Sequence, residues 1–77
     1  MGFLFKYTAT RNTWGGAVNA GESFTIEQGS SAASGNHLAN HLRKIGREVK
    51  ISSSIGGGAI KVGETTTSNE WIIERIK

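Results

Sequence analysis

The sequence has no cysteine, no proline and no aspartate. Without cysteine there is no disulfide to hold a small core together and no thiolate cluster to bind a structural metal. Without aspartate, every acid being glutamate, Asp-centred mechanisms and most magnesium or calcium cages lack their usual ligands. Long apolar runs are missing as well. No stretch approaches the ~20 residues a membrane span needs, and Met1-Gly2-Phe3-Leu4-Phe5-Lys6 has neither a basic leader nor an apolar block of secretory length. A soluble, cytoplasmic protein without a membrane partner is the expectation.

What is present makes one domain of 77 residues. A chain of this size draws only about 3–5 kcal/mol from a single core, so self-association into a homo-oligomer is expected as a supplement. Twenty-one apolar side chains larger than alanine suffice for a thin two-layer core of sheet plus helix.

Charge is placed unevenly. Residues 37–61 carry Arg43, Lys44, Arg47, Lys50 and Lys61 against Glu48 alone, whereas the rest carries four cations against five glutamates. The whole positive excess sits on one segment, which reads as a docking surface for an anionic partner. The competing reading is a solvated face, with Arg43 and Lys44 complementing a helix dipole.

The clearest period lies between Gly35 and Gly46. At ~100° per residue, Leu38, Leu42 and Ile45 share one arc with Ala39 beside them, while His37, Asn40, Arg43 and Lys44 point away. Ser34 or Asn36 can cap the start and Gly46 suits the left-handed position after the last turn. Upstream, Phe3, Phe5, Tyr7 and Ala9 alternate with Leu4, Lys6, Thr8 and Thr10, and Phe24 and Ile26 alternate with Ser23, Thr25 and Glu27, predicting two paired strands. The long connection between them has room for a short strand near Ala17-Val18-Asn19 or for a flap. It holds Trp14 beside two glycines: either a lid on the core edge or a ring exposed for stacking on a base. Downstream, Glu48 to Ile55 alternates with Val49, Ile51, Ser53 and Ile55 inward, Gly56-Gly57-Gly58 makes a turn, and Ala59 to Val62 opens a further strand.

The C-terminal piece has two readings. Thr67 and Glu70 could form a capping box opening a helix, yet Trp71, Ile72, Ile73 and Ile76 favour a strand. The strand is preferred, and its two apolar faces suggest an edge that pairs across a dimer. The expected fold is α+β: a small antiparallel sheet with one helix packed on it, in the order β-β-α-β-β-β.

Catalytic patterns are not met. His37 and His41 stand one helical turn apart, a spacing at which two imidazoles share a metal, but the residue after His37 is Leu38 and not the glutamate of a zinc-protease helix. The eight serines form no nucleophile elbow and have no aspartate to orient a histidine. The linker Gly29 to Gly35, at a helix N-terminus, could seat an anion, although its composition is generic. The triple glycine fits neither phosphate-loop pattern. No enzyme, metal or cofactor is expected.

Three segments carry a resemblance: Phe5-Lys6-Tyr7-Thr8-Ala9-Thr10-Arg11, Asn19-Ala20-Gly21-Glu22-Ser23-Phe24-Thr25-Ile26 and Lys44-Ile45-Gly46-Arg47-Glu48-Val49-Lys50. Together they resemble small uncharacterised proteins carried by phages and integrated elements of gut bacteria, in which strand, glycine turn, strand, helix ending at Gly, and strands follow one another. The triple glycine and the Trp71 tail fall outside that pattern. The resemblance implies a phage-type accessory protein, a class in which some members counter host defence.

The combined expectation is a non-enzymatic binding module that captures a phosphate-bearing ligand, a nucleotide signal or nucleic acid, through Arg43, Lys44, Arg47, Lys50 and Lys61, with Trp14 available to stack. The alternative is a protein-interaction or structural module whose target is an acidic host or virion protein.

Overall fold

The computed structural model describes residues 2–50, 55 and 59–77. Strands β1 (Phe3–Ala9) and β2 (Ser23–Gln28) precede the helix α1 (Gly35–Lys44), and β3 (Thr65–Ser68) and β4 (Trp71–Arg75) follow it. The strands form one antiparallel sheet in the order β2-β1-β4-β3. The fold is α+β, with one helix against a four-stranded antiparallel sheet among the described residues.

Alternation decides which face is covered. Phe5, Tyr7 and Ala9 of β1, Phe24 and Ile26 of β2, and Trp71 and Ile73 of β4 turn to the same side and meet Leu38, Ala39 and Leu42 of α1. Each large side chain withdrawn from water here contributes about 1.5–3 kcal/mol relative to exposure. The opposite face stays open, with Lys6 between Thr25 and Glu74, and Thr8 between Ser23 and Ile72.

The terminal strand is real but is not an edge. Register places β4 between β1 and β3, through Tyr7↔Ile73 on one side and Thr67↔Ile72 on the other. Its two apolar faces therefore serve the core and the open face, and among the described residues the sheet ends at β3.

Of the two strands expected directly after the helix, the first lies largely outside the described residues and the second is not formed at Ala59 to Val62. The strand expected over Glu48 to Ile55 falls largely on residues 51–54, and its turn on 56–58, which lie outside the described residues. Glu48, Val49 and Lys50 belong to no strand, although Val49 and Ile55 are buried in the core as the alternation requires. Ala59 makes only a single bridge, to Ala32, and Val62 is exposed, so the chain enters the sheet at Thr65.

Ile45 was expected on the buried arc and is 52% exposed. The helix ends one residue earlier, at Lys44, with Ile45 as its C-cap. Gly46, at φ 94, then reverses the chain: its N–H donates to the Arg43 carbonyl and that of Arg47 to the Leu42 carbonyl. This Schellman closure needs a left-handed residue and satisfies the last carbonyls. It turns Ile45 outward and aims Arg47 back at the sheet.

Candidate functional site: the C-terminal end of the helix

Arg47 follows directly from that reversal. Its guanidinium reaches Glu22, at the entry to β2, in a two-pronged contact of 2.9 Å (Nη1 to Oε1) and 2.6 Å (Nη2 to Oε2). It also donates to the Ala17 carbonyl at 3.0 Å and lies 5.0 Å from the centroid of the Phe24 ring. The planar fork of arginine matches a carboxylate in a way an ammonium cannot. The Arg47 hydrogen bonds hold the Glu22 carboxyl at about 2, well below its ordinary 4.5, and Glu22 in turn raises Arg47. Arg47 thus ties the helix end to β2 and to the loop before it.

That loop is organised around Trp14. Trp14, Gly15 and Gly16 have φ values of 57°, 65° and 90°, and Thr13 and Val18 bridge its two arms, which places a bridge where the sequence left room for a short strand. Trp14 is 3% exposed and sits edge-on against Trp71, with ring centroids 5.2 Å apart. The stacking role expected of Trp14 gives way to that of a lid, because its ring is spent on the core.

Between the glycine turn and the segment after the helix lies an open groove of about 400 Å³. Gly15, Gly16, Ala17 and Asn19 form one wall, and Arg47, Glu48 and Lys50, with Glu22 below, form the other. Two of the expected cations meet here, accompanied by two carboxylates. Lys44 lines a different, smaller groove of about 200 Å³ between α1 and β2, with Glu27, His37, Asn40 and His41. Arg43 is exposed and lines neither groove.

Lys61 stands apart. Its backbone N–H donates to Glu64 and its carbonyl accepts from Glu64 N–H, next to the Gly63 to Arg75 bond. Arg75 pairs with Phe5, whereas Arg47 and Glu22 lie by Ala9 at the far end of β1. The expected convergence of five cations is thereby divided: four around the helix end, of which Arg47 is already paired, and Lys61 at the other end of the sheet.

The histidines are half-buried, and His41 is edge-on to Phe24 at 6.3 Å. Among the described residues no three His, Cys, Asp or Glu side chains gather to hold a metal ion, and no helix is long and apolar enough to cross a membrane. The linker before α1 is occupied by internal bonds. Ser34 Oγ accepts from the Asn36 N–H at 3.2 Å, Ser34 N–H donates to the Tyr7 hydroxyl, and Gln28 Nε2 donates to the Ser30 and Ala32 carbonyls.

Two residues of this architecture escaped the sequence reading. Glu22 carries no local signal of its pairing, since Arg47 lies 25 positions away. Gln28 did leave one: it shares parity with Phe24 and Ile26, so it belongs to the buried face. No protein-family model, no curated protein and no solved structure matches the chain.

Proposed function

We propose that the protein is a non-enzymatic binding module that engages an acidic segment of a partner protein through the C-terminal end of α1. One observation carries this reading: Ile45, a large apolar side chain, stands 52% exposed directly after Arg43 and Lys44, with Lys50 exposed on the segment beyond. An exposed apolar side chain within a cationic stretch of chain suits a partner that brings carboxylates around an apolar residue. A phosphate-bearing small ligand is favoured less. The fork of Arg47 is filled by Glu22, both grooves are open, and Glu22 and Glu48 lie in the wall where a phosphate would sit. In the setting that the resemblance to phage accessory proteins implies, the partner is an acidic host or virion protein.

Selection from a random peptide library against the immobilised protein tests the proposal. Enriched sequences are expected to be rich in Glu and Asp around one apolar residue, with binding that weakens from low to high salt. Arg43→Glu with Lys44→Glu is expected to abolish selection while the protein still folds and melts cooperatively, its loss of stability limited to about 1 kcal/mol from reversing exposed charges at the helix C-terminus. Enrichment of basic or purely apolar peptides, or selection that survives the double reversal, overturns it. A melting temperature raised by nucleotides and not by the selected peptides returns the phosphate reading.

A further inference from the structure

Among the described residues β3 is the last strand of the sheet and pairs only with β4, through Thr65↔Glu74, Thr66↔Ile73, Thr67↔Ile72 and Ser68↔Trp71. In an antiparallel ladder alternate residues aim their backbone groups at a given neighbour. The phase is fixed at both ends. The hairpin Ser68-Asn69-Glu70-Trp71 closes on one side, and the Arg75 N–H donates to the Glu64 carbonyl at 3.1 Å on the other. Glu64, Thr66 and Ser68 therefore face β4, and Thr65 and Thr67 aim their N–H and C=O groups out of the sheet. Among the described residues nothing bonds to them there.

This edge is short, four residues, but no lysine, proline or other charge lies within Thr65–Ser68 to oppose strand addition. Threonine also favours the extended pleat. β2, the opposite edge, is guarded by Glu27 within it and by the Glu22–Arg47 clamp at its entry.

We infer that two copies of the chain pair antiparallel through β3, joining their sheets into one. A two-fold axis normal to the sheet, midway between Thr66 and the partner's Thr66, sets Thr65 opposite the partner's Thr67 and Thr67 opposite the partner's Thr65, so that the outward backbone groups of Thr65 and Thr67 are satisfied by one register. The choice of a second copy as occupant rests on that self-match and on charge. The seam itself is neutral, and the row across it runs Glu74, Thr65, the partner's Thr67, the partner's Ile72, so no carboxylate meets its own counterpart. This pairing is independent of the surface at the end of α1.

Native mass spectrometry and light scattering of the full chain over a concentration series decide the matter. The expected result is a mass that doubles with rising concentration. Thr67→Pro removes an outward N–H without touching the pairing to β4, and Thr65→Lys with Thr67→Lys sets ammonium groups opposite one another across the axis. Both variants are expected to stay monomeric with an unchanged circular dichroism spectrum, and Thr25→Lys on β2 is expected to dimerise like the parent. Should the proline variant fail to fold, the double lysine variant decides alone. A chain that stays monomeric at every concentration, as an edge kept for another protein's strand would be, or a dimer that survives the double lysine variant, overturns the inference.

Discussion

The two ends of α1 are fastened to the same sheet by opposite chemistries. At the N-terminal end the fastening is neutral and buried: Tyr7 Oη donates to Gln28 Oε1 at 2.6 Å and accepts from Ser34 N–H, and Gln28, 4% exposed, holds the Ser30 and Ala32 carbonyls. At the C-terminal end it is ionic, with the side chains of Arg47 and Glu22 about one-third exposed. Each choice suits its depth. A buried charge would carry a desolvation penalty that a neutral amide avoids, whereas near the surface a forked ion pair forms with little penalty and directs the chain through its geometry. The difference teaches that one end should answer to hydrogen-bond deletion and the other to pH and salt.

The largest effect that would break this contrast is expected at the buried end. Gln28→Leu leaves the Tyr7 O–H without its acceptor and the Ser30 and Ala32 carbonyls without the Nε2 donor, each worth roughly 1–3 kcal/mol when buried and unmet. A loss of about 3 kcal/mol in urea unfolding is expected, with no dependence on salt. A loss that shrinks at high salt would show that the two ends are not distinct.

A matched pair of smaller changes sharpens it. Ser34→Ala removes the N-cap acceptor of Asn36 N–H and is expected to lose ~1 kcal/mol. Gly46→Ala forces a side chain into φ 94 with open space around it, so the expected loss, again ~1 kcal/mol, is conformational and not steric. Only the second should also loosen the Arg47–Glu22 contact, read as a carboxyl titration of Glu22 that moves up toward its ordinary range.

Much of this was legible in the sequence, and the reason is periodicity. The inward residues of β1, β2 and α1 followed from alternation and the helical repeat, because burial of one face is what those patterns encode. The helix stop followed from Gly46, yet the fate of Ile45 did not: a one-residue difference in where the last turn closes carries a side chain from core to solvent. The placement of β4 inside the sheet was hidden for another reason. Two apolar faces describe an interior strand beside an open face as well as an edge, and only the pairing to β1 distinguishes them. For the site, the charge run identified the helix end as the cationic region, but it could not reveal that Arg47 was consumed by a glutamate on a distant loop, nor that Lys61 would be carried to the far end of β1. Long-range pairing leaves no trace in local composition. Trp14 shows the same limit, since glycine neighbours are equally compatible with an exposed ring and with a lid.

The smallest effect at neutral pH, and the one most particular to the ionic end, belongs to Glu22→Gln. Glutamine keeps an acceptor for one prong of Arg47 and loses the charge. In the parent the folded carboxyl titrates at about 2 against an ordinary 4.5, so the folded state binds the proton less readily than the unfolded chain does. The pair therefore contributes its stability fully above the unfolded value, and that contribution is lost as pH falls from about 4.5 through about 2. Thermal melts across this window should show the parent falling toward the variant until the two converge near the acid limit, with salt narrowing the gap at neutral pH because the pair is partly exposed. Parallel curves, with a constant offset from neutral to acid, would mean that the charge of Glu22 does nothing for the helix end and that its acceptor oxygens alone hold Arg47.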